Sequence, residues 1–173
     1  MERAGSFTAV SGAGIVAIGV LAVATTFVAG RMATAGSWVW VWVAAAALAV
    51  VIELTLTSRK SRALGMPMMS GPGQKFALAF TPPLLAGAIL TLALTTAAQR
   101  DLQVGMWILL YCEGVTAGGA LSVPVIPVMG VAFMISGVVA LWLPATAANW
   151  MMLAGFGVLH VVFGFYIARR YGG

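Results

Sequence analysis

Residues Gly12–Ala29 read GAGIVAIGVLAVATTFVA, without one charged side chain. At about 1.5 Å of rise per residue the run makes about 27 Å of helix, close to the hydrocarbon thickness of a bilayer. Five more windows of the same kind follow: Trp38–Leu56, Phe76–Ala97, Gly105–Leu121, Val125–Leu143 and Trp150–Ala168. Strands of a membrane barrel would alternate apolar and polar residues over about ten positions, and these runs are continuous. The expected fold is all-α: a polytopic transmembrane bundle of about six helices, one domain over residues 1–173. Ala33-Thr34-Ala35 resembles a signal-peptidase site, but the long stretch before Gly12, with Glu2 balancing Arg3, argues for an uncleaved first helix.

Composition agrees. The chain is 62% hydrophobic and 8% charged, whereas a soluble domain carries about 25% charged residues. Nine Lys and Arg against four Asp and Glu give a net charge of +5. The basic residues stand at the ends of apolar runs, where headgroups want them, so the bilayer and not nucleic acid is the expected partner. One cysteine, Cys112, excludes an internal disulfide, and one histidine, His160, excludes a bis-histidine haem or a His-rich metal site within one chain. The cofactor, if any, is unknown; quinone or haem beside His160 stays open.

Orientation follows from charge. With six crossings, Arg3, Arg59, Lys60, Arg62, Lys75, Arg169 and Arg170 share one side, and Arg31 and Arg100 the other. The positive-inside rule then puts both termini in the cytoplasm, as expected for a multi-pass protein of a bacterial inner membrane. Trp38, Trp40, Trp42, Trp107, Trp142 and Trp150 all fall at the opposite boundary as an interfacial belt. Arg59, Lys60, Arg62, Lys75, Arg169 and Arg170 are expected on the anionic membrane surface, the first four on a long loop, Thr57 to Lys75. Met66, Met68 and Met69 on that loop suggest copper(I) only weakly, since no second thioether or thiolate motif accompanies them. Pro124 and Pro127 shape a tight turn between helices four and five, and Pro82-Pro83 predicts a kink in helix three.

Polar groups inside hydrocarbon are costly and so informative. Glu113 and His160 lie about 12 and 15 Å below the same boundary by helical rise, close enough in depth to share a proton or a charge. Small residues recur beside them: Gly114 and Gly118 on helix four, Gly157 and Gly164 on helix six. Such positions let helices approach closely. Thr91 and Thr95 continue a polar stripe from Gly87 on helix three, and Thr116 lies next to Glu113. Together these residues form a candidate polar seam, readable either as a path for protons, ions or a small solute or as structural contacts. Glu53 lies near the basic boundary, where it is expected to snorkel or pair with Arg59.

Trp107-Ile108-Leu109-Leu110-Tyr111, Gly118–Val123 and Val125–Gly130 resemble segments of a family of small, uncharacterised bacterial six-helix membrane proteins; Gly155–His160 and Ala168–Gly173 resemble it too. The opening Met1–Val10 matches the same pattern. The resemblance implies the six-helix fold and expression near small winged-helix regulators, and implies no activity. Glu113 and Pro124 depart from its pattern, which expects a small or apolar residue and a basic one.

Two functions compete. One is a non-catalytic module that assembles with itself or a larger membrane complex through its glycine-rich faces; the other is a small channel or carrier using the seam. An enzyme ranks last, because no nucleophile, base and orienting group stand together in the membrane.

Overall fold

The computed structural model describes residues 9–32, 34–65, 68–69, 71–97, 99 and 101–172. Glu2, Arg3, Ala33, Met66 and Arg100, used above, lie outside the described residues. Six helices account for nearly all of the rest: α1 Gly12–Ala29, α2 Ala35–Ala63, α3 Gly71–Thr96, α4 Asp101–Gly119, α5 Val125–Trp142, and α6 over residues 148–171. The last changes pitch, being α-helical at Ala148–Met152, π-helical at Leu153–Leu159 and α-helical again at His160–Tyr171. No strand occurs among the described residues.

Five helices are long and apolar enough to cross a membrane. The exception, α4, is diluted by Asp101, Gln103 and Glu113. Its 19 residues still make about 28 Å of helix. It runs antiparallel between α3 and α5, with Gly114 against Phe80, Gly118 against Phe76, and Leu109 against Gly137. The outer faces are strongly apolar: Leu78 is 73% exposed and Ile89 68%. Surfaces of that kind call for lipid. The chain is thus an all-helical, multi-pass membrane bundle.

Helices outrun the hydrophobic windows because the backbone ladder continues past the hydrocarbon. α2 runs on through Ser58, Arg59, Lys60 and Arg62 to Ala63, and α3 begins at Gly71. The expected long loop therefore narrows to residues 64–70, turning at Gly65 with φ +62°, a left-handed conformation suited to glycine. Pro82 and Pro83 stay inside one uninterrupted α3.

α1 packs between α2 and α6, α4 between α3 and α5, and α6 joins the two groups. The α1–α6 seam is antiparallel and very close. A Cβ on Gly12 would stand 2.6 Å from Ala168 Cα, one on Gly19 2.7 Å from Val161 N, and one on Gly164 2.6 Å from Val16 N. Gly157 meets Val23 one step further along. Glycines seven apart on each helix thus make one long backbone-to-backbone contact.

The ends of this trio are tied by polar groups. At one end Ser11 caps α1 by accepting from Gly14 N and donates its own N–H to Thr57 Oγ1, which donates to Glu53 Oε1 at 2.6 Å. Glu53 therefore faces α1 and not Arg59. Lys60, expected on the membrane surface, instead turns inward and donates to Val10 O, Tyr171 O and Gly172 O at 2.9, 2.9 and 2.6 Å. The physical reason is the final turn of α6, whose orphan carbonyls and negative dipole end attract a cation. Arg59, Arg62, Lys75, Arg169 and Arg170 are exposed at this same end. At the other end Asn149 accepts from Trp38 Nε1 and donates to Thr26 O. Trp38 stacks on Trp107 at 5.9 Å and leans on Trp42. Three of the six tryptophans are thus folded into the bundle, while Trp40, Trp142 and Trp150 face outward.

These contacts predict two stability effects, measurable by thermal or steric-trap unfolding in detergent. Gly164→Val should cost about 1–3 kcal/mol by overpacking, whereas Gly36→Ala, whose added Cβ would meet only Thr34 Oγ1 at an ordinary 4.0 Å, should change stability by under about 0.5 kcal/mol. Lys60→Met should cost about 1–3 kcal/mol, since it orphans three carbonyls, and Arg59→Gln should stay within about 0.5 kcal/mol.

Candidate functional site

The residue that organises the centre of the bundle is His160, 1% exposed at the end of the π-helical stretch. A π turn carries an extra residue and resets the helical faces after it. Gly155 thereby meets Ile108 and Ser136, Gly157 meets α1, and His160 is delivered inward towards α4 and α5. Its Nε2 lies 2.7 Å from Tyr111 Oη. The imidazole is walled by the rings of Tyr111, Phe133 and Phe156, at centroid distances of 5.1, 5.0 and 5.9 Å. Tyr111 in turn packs on Phe80, Phe133 and Phe156, so aromatic rings from α3, α4, α5 and α6 meet at this point.

One hydrogen bond serves both polar groups. Either the phenol donates to an Nε2 lone pair or Nε2–H donates to the phenolic oxygen, and in both tautomers Nδ1 is buried without a partner. The pair is an enclosed contact, and no cluster of three or more His, Cys, Asp or Glu able to hold a metal occurs among the described residues.

Glu113 is not part of this centre. Two residues after Tyr111 on a helix means a rotation of about 200°, and the carboxylate stands on the exposed outer side of α4. Depth brought the two groups level; azimuth separates them. An ionised carboxylate there costs about 3 kcal/mol on insertion scales. Thr116 points in a third direction, into α5 against Gly130, with its hydroxyl buried and unpartnered.

Thr91 and Thr95 do lie on one face of α3, but their partners are Gln103 and Trp107. Gln103 Nε2 donates to Thr95 Oγ1 at 2.7 Å and to Thr91 O at 3.2 Å, and Trp107 Nε1 donates to Thr91 Oγ1 at 2.7 Å. Gln103 is fully buried and its Oε1 has no partner. Gly114 and Gly118 admit the rings of Phe80 and Phe76 of α3, so this glycine step, like Gly157 and Gly164, serves packing within the chain. A shallow apolar groove of about 290 Å³ between α1 and α2, bordered by Ala24, Val28, Ala44 and Leu48, opens outward, away from His160.

Sequence reading missed Tyr111, Gln103 and Asn149. A helical wheel of α4 carries the signal for the first two: Gln103, Trp107, Tyr111, Gly114 and Gly118 share one arc, with Glu113 outside it. Asn149 offers no such signal, being a lone amide at a helix start. No family model, no curated protein and no solved structure matches the chain.

A double-mutant cycle tests the central pair. Tyr111→Phe and His160→Phe should each lower unfolding stability, by about 1–3 kcal/mol, because each orphans a buried group. The double variant should lose less than the sum, with a coupling of about 0.6–1.7 kcal/mol in membranes; additive losses would mean that the 2.7 Å contact carries no energy.

Proposed function

We propose that this protein is a non-catalytic membrane module that acts by assembling with a larger membrane complex or with copies of itself. The observation that carries the reading is the direction of its polar groups. His160 and Tyr111 are hydrogen-bonded to each other inside a wall of aromatic rings, Thr91 and Thr95 are taken up by Gln103 and Trp107, and Glu113 points outward. A conducting seam of Glu113, Thr116 and His160 would need the three to line one path, and they face lipid, α5 and the aromatic centre.

The glycine-rich faces, first read as contacts between chains, are occupied by contacts within this one. Assembly would instead use the apolar outer faces, which α5 supplies most heavily, followed by α2, α3 and α6. The arrangement of the helix ends favours both termini in the cytoplasm: Arg59, Arg62, Lys75, Arg169 and Arg170 crowd one end of the bundle and the tryptophan cluster the other. Residence in a bacterial inner membrane is part of the same reading.

Purified protein in liposomes should conduct no protons or small cations above empty vesicles under an imposed pH or salt gradient, and blue-native electrophoresis of gently solubilised cells should show it in a species larger than one chain. A robust flux lost on His160→Ala or Glu113→Gln, with the chain running as a monomer, would replace the module with a carrier.

A further inference from the structure

The outer arc of α4 forms one stripe, with Leu102, Glu113 and Ala117 exposed and Met106, Leu109 and Leu110 half-buried. At about 100° per residue Glu113 falls at its middle. Leu109 and Leu110 are its half-buried flanks, against Gly137 of α5 and Gly87 of α3. Among the described residues the Glu113 carboxylate makes no hydrogen bond or ion pair. The described cations stand at helix ends: Arg31 after α1, Arg59, Lys60 and Arg62 closing α2, Lys75 opening α3, Arg169 and Arg170 closing α6. Lys75 is the nearest of these in height, beside Phe76, which meets Gly118 about five residues or 7.5 Å beyond Glu113 along α4. The buried Gln103 and the half-buried Glu53 and Asn149 each have a partner within the chain: Glu53 has Thr57, Gln103 has Thr95 and Asn149 has Trp38.

We propose that this stripe is an intramembrane docking face whose occupant is a transmembrane helix of another protein, carrying a basic side chain at the depth of Glu113. The proposal rests on the module reading above and names its contact. Charge complementarity selects the partner: a carboxylate facing hydrocarbon is costly alone and is relieved by a cation at the same depth. A second copy meets it less well. A two-fold axis along the membrane normal would set Glu113 opposite Glu113, with no described cation of either copy at that height. Ala117, one turn from Glu113, is small enough for a neighbouring backbone to approach the carboxylate closely.

The test uses the full chain, labelled at its C-terminus, in phosphatidylcholine vesicles with a labelled leucine-alanine transmembrane peptide carrying one central lysine, and a twin with leucine at that position. Förster transfer should report at least tenfold tighter association of the lysine peptide, retained by Glu113→Asp and abolished by Glu113→Gln. Unchanged thermal unfolding of Glu113→Gln, a lipid-facing change, would show that the loss is one of contact. Equal association of the two peptides, or of the lysine peptide with wild type and Glu113→Gln, overturns the proposal. So does transfer between two labelled copies of the chain that Glu113→Gln removes, which would make the occupant a second copy. If the peptides show no preference while the chain still extracts from its own cells in a larger complex, this face is wrong and the module reading survives; if the chain also extracts alone, both fall.

Discussion

The contact on which the other contacts depend is the one between the first helix and the last. α1 and α6 touch backbone to backbone because Gly12 and Gly19 on one, and Gly157 and Gly164 on the other, leave no side chain between them. Helices in lipid gain little from hiding apolar surface, so close van der Waals approach supplies much of the association. That approach fixes the rotation of α6 about its own axis. With Gly157 and Gly164 turned to α1, the π turn presents His160 on the side that faces Tyr111 and Phe133. Chain closure and the central polar pair are thus two consequences of one helix orientation.

Hydrocarbon offers polar groups no water, so each buried one must find a partner in the protein or bear the cost. Three tie points satisfy this requirement at three heights. Lys60 gathers carbonyls from the start of α1 and the end of α6. His160 and Tyr111 join α6 to α4 in the middle. At the far end Asn149 bridges α1 and α2 to α6, and beside it Gln103 and Trp107 fasten α4 to α3. The ties of Lys60, His160 and Asn149 join segments 49 or more residues apart, which resists sliding and rotation more than apolar packing alone can. The rim cations do something different: Arg169, for example, lies 4.3 Å over the Phe165 ring of its own helix and remains exposed.

The bundle was legible in the sequence because hydropathy is a one-dimensional signal read along the axis, and the axis is where the bilayer acts. Helix number and the depth of His160 come from that axis. Facing directions do not, and there the reading went astray: Glu113 and His160 were paired by depth alone, while Tyr111, two residues earlier and about 200° around α4, took the contact. Lys60 followed its neighbours Arg59 and Arg62 onto the surface for a similar reason. Local composition could not show that the carbonyl end of a helix some 110 positions later would fold back beside it. The threonine stripe on α3 is visible in the sequence, but its partners stand on α4, where Gln103 is one turn from Trp107 on the same arc.

Two carboxylates lie in the membrane helices, and their difference is instructive. Glu53 is turned towards α1, receives the Thr57 hydroxyl, and occupies space that Gly14 leaves free. The bundle can accommodate an acid inside itself when its own helix supplies a donor and a neighbouring helix a glycine gap. On α4 the corresponding inward arc is already filled: Gly114 and Gly118 hold phenylalanine rings, Tyr111 holds His160, Gly105 and Thr116 meet α5, and Gln103 and Trp107 hold the α3 threonines. Moving Glu113 into that arc would break a ring contact or a hydrogen bond at every height. Its outward position is therefore a consequence of how completely α4 is used by α3, α5 and α6.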